Sequence, residues 1–177
     1  MQKSLPARAA LAMALGLSIV SCRPATSSTP VSAATPLAAN DLVSRGRYLV
    51  QVGGCNDCHT ESYGAQGGDV PEAEWLLGSH SGFVGPWGTS YATNLRLSAD
   101  KLDESAWLTY TANLQARPLM PAYMLREMHE QDRQAIYRFI RSLGPAGEPA
   151  PQALPPGQRP SPPYLELVLP PDGPATP

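Results

Sequence analysis

Cys55-Asn56-Asp57-Cys58-His59 is the stretch whose reading decides the fold. Two cysteines stand three apart and a histidine follows the second at once, so two thiols and an imidazole fall within five residues. The remaining cysteine of the chain is Cys22, and the remaining histidines are His80 and His129. A zinc site would want a fourth nearby ligand, and no second cysteine pair exists to supply it. A dithiol redox pair would want a thioredoxin-like strand–helix–strand setting. What precedes the motif reads as helix instead. Leu42, Tyr48, Leu49 and Val52 favour one face of a helix predicted over 42–52, with Asp41 as its cap and Gly53-Gly54 as its end.

Working outward, two more helices are readable. One runs from residue 103 or 104 to 114, with Asp103 able to cap it and Pro118 to stop it. Its Trp107, Leu108, Thr111 and Leu114 share a face at helical spacing. The other carries Glu130 and Asp132 in its first turn, and Ile136, Phe139, Ile140 and Leu143 at i, i+3, i+4, i+7. Arg138 and Arg141 favour its negative end, and Gly144 with Pro145 closes it. Glycine and aromatic residues dominate 62–94, which is predicted to be mostly loop. The segment 145–177 holds 12 prolines in 33 residues, a density at which no helix survives. It is predicted to be extended, with 164–169 as a strip laid on the domain.

The chain has 177 residues and a formal charge of −2, from 13 basic and 15 acidic side chains. That balance argues against a nucleic-acid binder, which needs a basic face for phosphates. No apolar run reaches the roughly 18 residues of a membrane-spanning helix. Residues 1–21 read as an export signal, with Lys3 and Arg8 before a 12-residue apolar run over 9–20. The run ends in Ile19-Val20-Ser21-Cys22, which resembles a bacterial lipobox. That resemblance implies Cys22 as the lipidated mature N-terminus. The alternative is an ordinary cleaved signal, with Ser32-Ala33-Ala34 as the cleavage site. Arg23 stands where an aspartate would favour inner-membrane retention, so the expected location is the periplasm-facing cell envelope, leaning towards the outer membrane. The chain thus divides into a signal over 1–21, a lipidated N-terminus and flexible tether over 22–40, a domain over 41–144 and a Pro-rich extended tail over 145–177.

Cys-x-x-Cys-His is the attachment signature of c-type haem. Two cysteines at this spacing reach two vinyl groups on one porphyrin edge, and the next residue, His59, lies under the iron. One covalently attached haem is therefore expected, held by Cys55 and Cys58 with His59 as the proximal ligand. Residues 41–144 resemble a class I monohaem c-type cytochrome in element order: helix, haem motif, loops, and a C-terminal helix crossing the first. The stretch Gly85-Pro86-Trp87-Gly88-Thr89-Ser90-Tyr91-Ala92-Thr93-Asn94-Leu95 resembles the G-T-x-Y-x-x-N segment of cytochrome subunits of bacterial alcohol and aldehyde dehydrogenases. Met120-Pro121-Ala122-Tyr123 resembles their ligand loop. Those subunits usually carry several haem motifs, whereas this chain has one. The resemblance implies an all-α, cytochrome c-like helical domain with long loops.

Met120 stands in Arg117-Pro118-Leu119-Met120-Pro121, where two prolines stiffen the loop, and the family pattern points to it as the distal ligand. Met124, Met128, His80 or an open position are the alternatives; His129 is expected to flank the last helix and His80 to lie in an exposed loop. Trp87, Thr89, Tyr91 and Asn94 are candidates to hydrogen-bond haem propionates or the ligand loop, against simple packing or turn roles. Arg96 is a further propionate candidate. In the family a proline carbonyl often holds the proximal histidine, and Pro86 is the nearest match. The resulting expectation is a lipid-anchored electron carrier, not an enzyme, exchanging electrons with protein redox partners that carry a basic docking patch. The alternatives are a subunit of a dehydrogenase or oxidase complex, or a haem sensor or peroxidase-like protein with an open iron site.

Overall fold

The computed structural model describes residues 38–168. The predicted signal, Cys22, most of the tether and the last residues of the tail lie outside them. Six helices run in order α1 (Ala39–Val52), α2 (Cys55–His59), α3 (Leu95–Asp100), α4 (Glu104–Ala112), α5 (Ala122–Glu127) and α6 (Glu130–Leu143). A small sheet is formed by β1 (Gly82–Gly85), β2 (Gly88–Ser90) and β3 (Tyr164–Glu166). The domain is mainly helical, but the sheet corrects the all-α expectation. Among the described residues no helix is long and apolar enough to cross a membrane.

The crossing of α1 and α6 is the largest helix contact of the domain. Its centre is Gly46: a Cβ there would lie 2.0 Å from the carbonyl oxygen of Ala135 and 2.7 Å from Cβ of Phe139. The inward stripe of α1 is therefore Leu42, Gly46 and Val50, one turn apart. The predicted face holds at Leu42 and Leu49 and fails at Tyr48 and Val52, which point outward, 54% and 61% exposed. A glycine at the contact point carries no hydropathy signal, so the stripe was hidden. From α6, Ile136, Phe139 and Ile140 enter the core as predicted and meet Val50, Trp75, Leu76 and Trp107. Each such side chain contributes roughly 1.5–3 kcal/mol by leaving water.

Helix ends explain the remaining layout. Asp41 does not cap α1. The helix starts at Ala39, and Asp41 sits in the first turn, where its carboxylate opposes the positive end of the helix dipole. Asp103 does cap α4, its carboxylate accepting the Ala106 N–H at 2.7 Å. That helix ends at Ala112, before Pro118 is reached. Between α1 and α2 the chain reverses on Gly54, whose φ of +66° suits a residue without Cβ.

The 62–94 stretch is more ordered than predicted. A 3₁₀ turn covers Glu72–Glu74, and β1 and β2 form an antiparallel hairpin across Pro86-Trp87. The indole of Trp87 folds back over Gly85, where a Cβ would sit 2.4 Å from the ring. β3 pairs with β1 in parallel, Phe83 opposite Leu165, so residues 164–166 of the predicted strip are laid on the domain at the sheet edge, and its last residue lies outside the described ones. Residues 145–168 are largely without helix and belong to the same compact unit as the helices.

The Gly46 contact yields a direct test. Replacing it by alanine gains about 1 kcal/mol of helix propensity but forces a methyl into backbone that has nowhere to move. Gly46→Ala is expected to lower the unfolding free energy by about 2 kcal/mol in urea titration. Gly64→Ala, at a position open to solvent, serves as the neutral control. Equal stability of the two variants would contradict the crossing described.

Candidate haem site

α2 is a single turn and a half, but its spacing does the essential work. Cys55, Cys58 and His59 stand at i, i+3 and i+4, so they share one face. Both thiols are free and half-buried. Burial pushes the Cys55 thiol up to about 11, opposed by a backbone hydrogen bond and helped by the Asp57 and Cys58 charges. Cys58 is also raised, by burial and then by Asp57. Neutral thiols are the opposite of the depressed, thiolate-forming cysteines that redox catalysis requires.

His59 is buried, and its Nδ1 lies 2.8 Å from the carbonyl oxygen of Thr93. A carbonyl only accepts, so Nδ1 carries the proton and Nε2 is left with its lone pair, the tautomer that ligates a metal. Burial lowers the His59 pKa and the Thr93 carbonyl partly offsets it. Thr93 thus takes the role expected of Pro86. It does so through its main chain, which no side-chain pattern could announce. The backbone around it is woven tightly. Gly78 N–H donates to His59 O at 2.8 Å, Ser79 N–H to Ala92 O at 3.1 Å, and Leu95 N–H to Leu76 O at 3.0 Å.

The proposed propionate partners separate into two groups. The Trp87 indole N–H and the Thr89 and Ser90 hydroxyls are buried without a partner. Tyr91 is half-buried. Asn94 is committed elsewhere: its Oδ1 accepts Leu97 N–H at 3.0 Å, capping α3, and its Nδ2 donates to Ala146 O at 2.8 Å and Glu148 O at 3.2 Å. Both amide hydrogens are spent, so Asn94 is a structural staple. Arg96 is likewise buried, donating to the carbonyls of Leu143 and Gly144 at the end of α6 and to that of Ala73 in the 3₁₀ turn. Burial lowers its pKa, and each of its three nitrogens donates to a backbone carbonyl.

Met120 is half-buried in a turn before α5: its N–H donates to Arg117 O at 3.2 Å, and its carbonyl accepts Ala122 N–H at 2.8 Å. Met128 packs against the core, as a gap-filling methionine does. Met124 is 41% exposed. His129 flanks α6 without a side-chain cap. His80 is exposed, its Nδ1 3.7 Å from the Glu61 carboxylate. Burial would raise Glu61, but hydrogen bonds from His80 N–H and the Ser79 and Ser81 hydroxyls, with the His80 charge, hold it below the ordinary carboxylate range.

The structure thus groups Cys55, Cys58 and His59 on one turn. It ties 87–93 to both sides: Thr93 holds His59, and Trp87 O accepts from Arg117, three residues before Met120, at 2.6 Å. Two unpaired neutral thiols, a histidine with one committed nitrogen and an orphaned indole N–H fit a haem. Val52, Leu119 and Met124, close in sequence to the cysteine turn and to Met120, are exposed apolar side chains. Among the described residues no cluster of three or more His, Cys, Asp or Glu offers an alternative metal centre.

Asn94→Ala separates the two roles considered for that residue. Loss of one helix cap and two hydrogen bonds is expected to cost about 2–3 kcal/mol of stability. Asn94→Asp, which keeps the cap and loses the donors, should fall between. A variant of unchanged stability in denaturant titration would return Asn94 to the cofactor.

Comparison with protein-family models, curated proteins and solved structures finds no match for this chain.

Proposed function

We propose that this protein is an exported, lipid-anchored monohaem c-type cytochrome that carries single electrons between protein redox partners. The observation that carries the reading is the turn Cys55–His59, with two neutral thiols on the face of a histidine whose Nδ1 is already spent on Thr93. Haem bound there supplies a one-electron Fe(III)/Fe(II) couple.

The roles of the chain's own residues follow. Cys55 and Cys58 would hold the group by thioethers, each thiol adding its S and H across one vinyl double bond, with no oxidant needed. Burial raises the pKa of both thiols, so they are protonated near neutral pH. The Thr93 carbonyl fixes the His59 ring through Nδ1 and leaves Nε2 as the nitrogen that would bind the iron. Met120 supplies the distal thioether from its proline-stiffened loop. His59 and Met120 would be the two protein ligands of the group, and with both in place it would supply electron transfer rather than a site for substrate. The Trp87 N–H and the Thr89 hydroxyl, both buried without a protein partner, are the donors left free for a propionate. Cys22 would hold the protein to a membrane by lipid, leaving no free thiol in the mature chain.

Two measurements test this. Intact mass of the protein from its native envelope should show one haem and a lipidated Cys22, with no addition from a thiol-reactive reagent. Met120→Ala should abolish the weak far-red band of sulfur-ligated Fe(III) and let the reduced protein bind CO without denaturant. A wild type that already binds CO readily would point instead to a sensor or peroxidase-like site.

A further inference from the structure

Segment 145–168 does more than trail from the domain. Leu154 and Thr89 exchange backbone hydrogen bonds in both directions, each 3.0 Å. Gly88 makes room for the passing chain: its φ is +93°, and a Cβ there would lie 2.2 Å from the Leu154 carbonyl oxygen and 2.6 Å from the Pro155 carbonyl carbon. Arg117 closes this junction from the other side. Its Nη2 donates to Trp87 O at 2.6 Å and to Leu154 O at 3.3 Å. One guanidinium joins three separate stretches: the loop of Met120, the β1–β2 turn and the proline-rich segment.

Among the described residues, the other hydrogen bonds of 115–121 stay within the loop and the first turn of α5. Pro118 and Pro121 have no N–H to offer. Arg117 is thus the loop's hydrogen-bonded tie to the 82–94 segment, and that segment holds His59 through Thr93. We infer that Arg117 is a positioning residue that locks the Met120 loop, with residues 145–168 as the strap that keeps its two acceptor carbonyls side by side. The inference rests on Met120 as the distal ligand. Arginine suits the task because its rigid fork presents donors to two carbonyls at once, whereas a lysine is a point charge on a flexible stem.

The test compares full-length, haem-loaded wild type with Arg117→Ala, Arg117→Lys and Gly88→Ala. Arg117→Ala should raise the Met120-detached fraction about tenfold, read as a weakened far-red band and faster CO binding by the reduced protein. Haem should stay covalently attached by mass. Arg117→Lys should recover part of the band. Gly88→Ala, which displaces the strap and leaves Arg117 and Met120 untouched, should weaken the band too, with faster hydrogen exchange at the Thr89 and Leu154 amides. If Gly88→Ala fails to fold, the exposed Arg117 position carries the test. A wild-type band that persists unchanged in both Arg117→Ala and Gly88→Ala overturns the lock and leaves the cytochrome reading standing. A wild type without the band overturns Met120 as ligand, and the lock with it.

Discussion

The close approach of α1 and α6 at Gly46 is the constraint from which most of the domain follows. Backbone meets backbone there, with the Ala135 carbonyl where a side chain would otherwise be. Two helices can come that near only if one of them is bare at the crossing. Once they do, Val50, Ile136, Phe139 and Ile140 are brought into one cluster with Trp75 and Trp107. The C-terminal end of α1 is then fixed against the core, and the reversal at Gly54 delivers Cys55 to the same cluster within three residues. The position of the cysteine–histidine turn is therefore a consequence of how the first and last helices cross.

A second theme is how the irregular parts are held. The chain has 13 basic residues, and lysine accounts for two of them, Lys3 and Lys101. Arginines do the stitching. Arg96 gathers carbonyls at the end of α6, Arg133 takes those of Leu125 and Met128 after α5, and Arg126 takes Leu114 O. Carbonyls at helix ends have no partner within the helix, and a forked cation satisfies two or three at once. This is a different economy from side-chain capping. It lets short helices end abruptly next to loops that must keep a defined shape.

Much of this was legible in the sequence, and the failures have physical reasons. α4 and α6 could be read because their inward residues are large and apolar and their ends carry charge or glycine in the usual places. The grouping of Cys55, Cys58 and His59 could be read because three residues within five positions of a helical turn share one face. The strip at 164–166 showed as an alternating run among prolines. By contrast, the face read for α1 is right at Leu42 and Leu49 and wrong at Tyr48 and Val52, because the contact residue Gly46 has no side chain to register. α3 and α5 are six residues each, too short for a period to declare itself. The hairpin was masked by glycines that serve the Trp87 ring and the Leu154 crossing rather than flexibility. Thr93 acts through its carbonyl and Asn94 through backbone partners more than fifty residues away, and neither role has a local signature.

The parallel pairing of β3 with β1 also sets an order of assembly. Phe83 and Leu165 are partners, and nothing between them in the chain can take the place of the later strand. When a polypeptide is delivered from its N-terminus, α1, the cysteine–histidine turn and even α6 can meet while residues 164–166 are still to come. The edge of the sheet stays open until the end. The face of the domain that the last segment crosses is thus the last to be sealed, and a chain cut short before residue 164 would present β1 as a bare edge.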